Sequence, residues 1–185
     1  MPALSEAVYW CARDLQGSPF GNHHFILLIA PADDVNLFEI PPIQEDTPTG
    51  QVLFYTIGAF KGDASDPKQL TANINNESDV KAVLEYIYPE KYTDAMQPDL
   101  DLESHMIKPP TGTVLSFRKL VVELTKAYLA KGKVEYSITD ANCASWVNTL
   151  FKVAEVSAAE RKAAGDFFGI DVGADSLIPE ELFRT

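Results

Sequence analysis

The stretch Asp140-Ala141-Asn142-Cys143-Ala144-Ser145-Trp146 decides how the chain is read. It follows a β-like run, Val134 to Ile138, and opens an amphipathic pattern. Cys143, Val147, Leu150 and Ala154 fall on one helical face, with Trp146 and Val153 beside them. The spacing predicts a helix that begins at Cys143, with Asp140 or Asn142 as its cap. A thiol in the first turn of a helix meets unpaired amide N–H groups and the positive end of the helix dipole, which stabilise a thiolate. Such a sulfur becomes a nucleophile only beside a base. The chain offers three histidines, His23, His24 and His105.

Working outward, the first third of the sequence reads as β-structure. Strands are expected over Ala7 to Arg13, His23 to Ile29, Val35 to Ile40 and Gln51 to Ile57, parted by turn-forming residues at 16–21 and 31–34. Asp66-Pro67 resembles a helix start, and Asp79 to Tyr88 carries Val80, Val83, Leu84 and Ile87 at helical spacing. The proline-rich, acidic segment Pro89 to Pro110 reads as a long loop of the kind that often serves a site. Thr113 to Lys131 is the longest helix expected, with the stripe Val114, Phe117, Val121, Leu124 and Tyr128 and a stop at Gly132. A capping-box pattern at Ser157 to Glu160 and Pro179 mark two further starts. No repeat or interdomain linker interrupts the pattern, so residues 1–185 form one α+β domain, an antiparallel sheet packed against helices, with a helical and loop insertion about 62–112.

A net charge of −12 and an isoelectric point near 4.6 argue against nucleic acid and anionic membranes as partners. The longest apolar run, Phe25 to Ala30, is too short to span a bilayer, so no integral membrane segment is expected. The first residues lack the basic and apolar regions of a secretory signal, and the expectation is synthesis in the cytoplasm, with any export by another route. Cys11, in a strand-like segment, reads as a small buried hydrophobe; a Cys11–Cys143 disulfide would remove the nucleophile. No ligand spacing supports a structural zinc, and no cofactor or metal is expected.

His23 and His24 open the run His-His-Phe-Ile-Leu-Leu-Ile, where one side chain faces each side of the strand. The order of a histidine on an early strand and then Asn142-Cys143 at a late helix start resembles the circularly permuted NlpC/P60 papain-like superfamily. Its lecithin:retinol acyltransferase-like branch is the nearest in pattern. The resemblance covers residues 20–40 and 134–155, and departs from the family in having Ile26 where a small residue is usual. It implies Cys143 as nucleophile and, by strand length, His24 as base, although a shift of one residue selects His23. Glu39 falls near the place of the residue that orients the imidazole, and His105 reads as solvated, with the orienting role or a substrate contact open to it.

The chemistry implied is an acyl-enzyme cysteine hydrolase that cleaves an amide bond, with peptide or peptidoglycan-like substrates. By analogy, delivery as a bacterial effector and an inhibitory immunity protein as partner belong to the same expectation. Two rival readings stand beside it. One is an acyltransferase or thioesterase built on the same Cys-His site. The other is a catalytically inactive α+β binding module of a phage or secretion apparatus, with Cys143 packed in the core.

Overall fold

The structure, a computed structural model, describes residues 5–15, 21–30, 37–62, 68–93, 101–132, 134–167 and 173–184. It is an α+β fold built on a six-stranded antiparallel sheet. Strands β1 (Val8–Asp14), β2 (Asn22–Ala30), β3 (Ile43–Thr47), β4 (Gly50–Lys61), β5 (Leu70–Ile74) and β6 (Leu102–Ile107) are joined in the order β3-β4-β2-β1-β6, and β5 pairs with β4. Helices α1 (Glu77–Ile87) and α2 (Pro89–Tyr92) lie between β5 and β6, and α3 (Val114–Lys131), α4 (Cys143–Val153) and α5 (Ala158–Ala164) follow β6, with a final 3-10 turn at Glu180–Phe183. Among the described residues no helix is long and apolar enough to cross a membrane.

Both faces of the central strands are buried, which explains the near-continuous apolar run of β2. On one face, Trp10, Ile26, Leu28, Tyr55 and Ile57 pack against Phe117, Val121 and Tyr128 of α3 and Trp146, Val147 and Leu150 of α4. On the other, Tyr9, Cys11, Phe25, Leu27 and Phe54 pack against Val83 of α1. Cys11 is thus a buried hydrophobe, and both cysteines are free thiols.

Several sequence expectations differ from what is observed. Residues 37–40 form turns, where a strand over Val35 to Ile40 was expected; Glu39 takes a left-handed φ of 63° that an extended strand does not allow. Val134 to Ile138 contributes only isolated bridges, at Glu135 and Ser137. The presumed long loop contains α2 and the edge strand β6, whose burial alternates only weakly because one face is exposed. Residues 66 and 67, read as a helix start, lie outside the described residues, as do residues 94–100 of the segment Pro89 to Pro110. Between residues 62 and 112 the chain supplies β5, α1 and β6, so this segment widens the sheet and covers its second face.

Candidate active site

Asn142 caps α4 from an extended conformation, its side chain accepting from the Ser145 amide at 3.1 Å while Ser145 Oγ accepts from the Asn142 amide at 2.9 Å. This reciprocal cap satisfies first-turn donors and fixes where the helix begins. Asn142 Nδ2 also donates to the Ile138 carbonyl at 2.6 Å, tying the preceding turn to the cap. A Cβ on Gly173 would lie 2.4 Å from Asn142 Nδ2, so only glycine fits against the cap; its φ of +85° requires glycine independently. Asp140 spends its carboxylate on Ser137 and Thr139 instead.

The cap places the Cys143 sulfur in a seam of the sheet. The β2–β4 ladder begins at Phe25 opposite Gly58, while β4 runs on to Lys61 beside β5. At the start of β2 the sulfur accepts from the His24 amide at 3.5 Å and lies 3.9 Å from the Asn22 carbonyl oxygen. Because residues 22 and 24 of a strand direct their backbone polar groups to the same edge, the thiol takes up the pairing position that the ladder leaves there. A sulfur in the plane of the sheet is open to groups on either face. Cys143 is half-buried, whereas Cys11 is fully buried.

The second face supplies the base. His23, 3 % exposed, directs Nε2 toward Oδ2 of Asp79 at 3.4 Å, within ion-pair reach though long for an aligned hydrogen bond. Asp79 lies in the first turn of α1 and is wholly buried. Its other oxygen, Oδ1, accepts from Arg13 Nε at 2.7 Å. Arg13 and His23 are directly opposed across β1 and β2, so the strand register itself gathers the two groups around one carboxylate. Phe60 stacks on the His23 ring with centroids 4.3 Å apart. Gly58 makes room for the pair, since a Cβ there would stand 3.0 Å from both His23 Nε2 and Asp79 Oδ2.

The electrostatics follow from this geometry. Burial opposes charge on His23, but Cys143 and Asp79 together outweigh it and raise its pKa from 6.5 to about 9. Burial likewise works against a Cys143 thiolate, yet the His23 imidazolium and hydrogen bonds from the His24 and Ala144 amides outweigh it and lower the thiol's pKa. The two shifts have one origin, the mutual attraction of the charged forms of the thiol and the imidazole inside a poorly solvated pocket. The Cys11 thiol, by contrast, is held well above its ordinary value by burial and by the nearby Asp79 charge.

His24 faces the opposite way. It is wholly buried, and Nδ1 accepts from the Trp10 indole N–H at 3.0 Å. Its contribution at the sulfur is its backbone amide. The structure thus sets the His23 ring, where strand length had preferred His24, with Cys143. Glu39 stands exposed in the 37–40 turn, while Asp79 takes the position beside the imidazole. His105 is exposed on β6, its ring 5.4 Å from that of Phe167.

Three members of the arrangement escaped the sequence reading: Asp79, Arg13 and Gly58. Gly58 carried a signal, because a glycine inside a strand pattern marks a close approach. Asp79 carried none, since an acid in the first turn of a helix is ordinary. No family model, curated protein or solved structure matches this chain.

Proposed function

We propose that the protein is a cysteine hydrolase that cleaves an amide bond through an acyl-enzyme on Cys143, with a permuted papain-like arrangement of Cys143, His23 and Asp79. The observation that carries this reading is the pairing of a half-buried helix-start thiol with a buried imidazole, itself held by a buried carboxylate. A cysteine kept only for packing has no need of the last two groups, whose burial is costly.

In the proposed cycle, with the thiol proton held on His23, the Cys143 thiolate attacks the substrate carbonyl carbon. The oxyanion of the tetrahedral intermediate is met by amide N–H groups of the first turn of α4. As the C–N bond breaks, the imidazolium returns its proton to the departing amine. Water, deprotonated by the same imidazole, then attacks the thioester, and the acid product leaves with the thiol restored. Asp79 fixes the tautomer and orientation of the ring and stabilises its charged form; Arg13 holds Asp79 in turn. His23 thus acts on the reacting atoms, and Asp79 and Arg13 are positioning residues.

The resemblance of Asn142-Cys143 and the histidine strand to permuted NlpC/P60 proteins favours peptides of the bacterial cell wall as the substrate class. Delivery as an effector, with an immunity-type inhibitor as partner, follows from the same analogy. The experiment is incubation with defined peptidoglycan fragments and analysis of products by mass spectrometry. The expected result is a new amine and a new carboxylate, absent with Cys143→Ala. Turnover of thioesters or acyl transfer to an added amine, with no amide cleaved, would replace hydrolysis of amides by the acyltransferase or thioesterase reading.

A further inference from the structure

The base of the proposed site lies against an aromatic face. His23 and Phe60 are stacked, with ring centroids 4.3 Å apart and planes 24° from parallel. The ring of Phe25, two residues on along β2, is also nearly parallel to the imidazole, at 6.2 Å and 12°. His24 packs differently, since its ring meets Trp10 at 70° and Phe167 at 79°, both edge contacts. A cation over a ring face, within about 6 Å of the centroid, is attracted by the negative charge of that face, and most strongly where water is excluded.

The backbone brings the two rings together. Phe60 and Gly58 lie on the same face of β4, and Gly58 stands opposite Phe25, so the strand pairing carries Phe60 toward the end of β2 that holds His23. A Cβ on Gly58 would lie 3.0 Å from His23 Nε2 and 3.1 Å from Cε2 of Phe60, so the glycine clears the space in which both rings sit.

Burial is the strongest influence on the imidazole and opposes its charge. The charged and titratable groups that face it are Asp79 of α1, with Arg13 of β1 behind that carboxylate, and Cys143 of α4. Each of these brings a desolvation cost of its own. The face of a phenyl ring adds attraction for the imidazolium without burying another charge.

We propose that Phe60 is a positioning residue, which holds the His23 ring within reach of both Asp79 and Cys143 and favours the charged ring through the face of its own. This rests on His23 as the partner of Cys143, and it adds an uncharged group that tunes the base.

The test replaces Phe60 in the full chain with phenylalanines that carry one, three and five ring fluorines, which withdraw charge from the ring face at nearly unchanged shape. The Hε1 proton signal of His23, assigned by its loss in His23→Gln, is followed against pH by nuclear magnetic resonance. The expected result is a midpoint that falls step by step with fluorine content, by about one pH unit over the series, a tenfold change in the proton affinity of the ring. The alkaline limb of turnover moves with it. Phe60→Leu, which has no ring face, lowers the midpoint as well, and lowers kcat with KM little changed. A midpoint unmoved by fluorination overturns the role of Phe60 even if Phe60→Leu slows turnover, because lost packing alone accounts for that slowing, and it leaves His23 paired with Cys143. Cys143→Ala tests the pair separately. It removes the negative charge of the sulfur, so the His23 midpoint is expected to fall. A midpoint that stays in place in Cys143→Ala overturns the pairing of His23 with Cys143, and with it the site that Phe60 serves.

Discussion

His23 and His24 are neighbours in sequence and both are buried, yet they lie on opposite faces of β2 and meet opposite partners. His24 accepts a hydrogen bond from an indole N–H, which can only donate, so its Nδ1 carries no proton and the bond is lost if the ring becomes doubly protonated. His23 faces a carboxylate and a thiol, both of which reward the charged ring. One strand therefore turns one histidine to a hydrogen-bond donor and the other to groups that favour its charged form. The lesson is that the hydrogen-bond partner, more than burial or sequence position, sorts a structural imidazole from a reactive one.

Substitutions that break this contrast rank by how directly they touch the pair. Cys143→Ala is expected to abolish both amide cleavage and reaction with thiol-directed electrophiles, while the thermal midpoint stays close to that of the parent; Cys11, buried with a raised pKa, does not substitute for it. His23→Gln leaves the sulfur without its proton acceptor, and turnover is expected to fall by about 10²–10⁴-fold. A circular dichroism spectrum unchanged from the parent locates that loss in the site.

Asp79→Asn acts at one remove. It takes away a charge that favours the imidazolium, so the His23 pKa falls. The proposed hydrolysis needs the imidazolium to protonate the leaving amine, so in the parent activity is expected to decline as pH rises through about 9. In Asp79→Asn that alkaline limb moves to lower pH. Because the substitution also strips the partner from buried Arg13, it is expected to cost about 3–5 kcal/mol in denaturant unfolding. An alkaline limb that does not move would separate Asp79 from the imidazole.

Gly58→Ala inserts a methyl group 3.0 Å from both His23 Nε2 and Asp79 Oδ2. A shift of the ring by a few tenths of an ångström is expected to lower turnover several-fold with KM little changed, a smaller loss than Asp79→Asn produces. His24→Gln is the mildest in reactivity, because it retains the backbone amide at the sulfur. It disturbs the Trp10 bond instead, and the thermal midpoint is where the change is expected.

Much of the frame was legible in the sequence because it rests on local signals. The apolar stripe of α3, the Asn142 cap, the capping box at Ser157 and the strands β1, β2 and β4 all follow from short-range pattern. What was hidden depends on pairing between distant segments. Strand length pointed to His24, because a period of two assigns the faces of a strand without saying which face the sulfur reaches. The sulfur lies in the seam between β2 and β4, and no one-dimensional pattern records a seam. Asp79 joins the site only because α1 crosses the second face, 56 residues after His23 in the chain. Strand β6 was read as loop because its prolines and acids flank a short edge strand with little apolar alternation. Gly58 was the one signal available and unused, since the strand was ended at Ile57 when a glycine inside β4 marked the space that the His23–Asp79 pair occupies.

The central claim is that the Cys143 thiol ionises more readily because His23, and not His24, carries the matching charge. Ultraviolet thiolate absorbance followed as a function of pH tests it directly when compared across the parent protein, His23→Gln and His24→Gln. The account predicts a Cys143 thiolate midpoint below the ordinary cysteine pKa of about 8.5 in the parent and in His24→Gln, a higher midpoint in His23→Gln, and no such transition in Cys143→Ala. A midpoint unmoved by His23→Gln and raised by His24→Gln would contradict it.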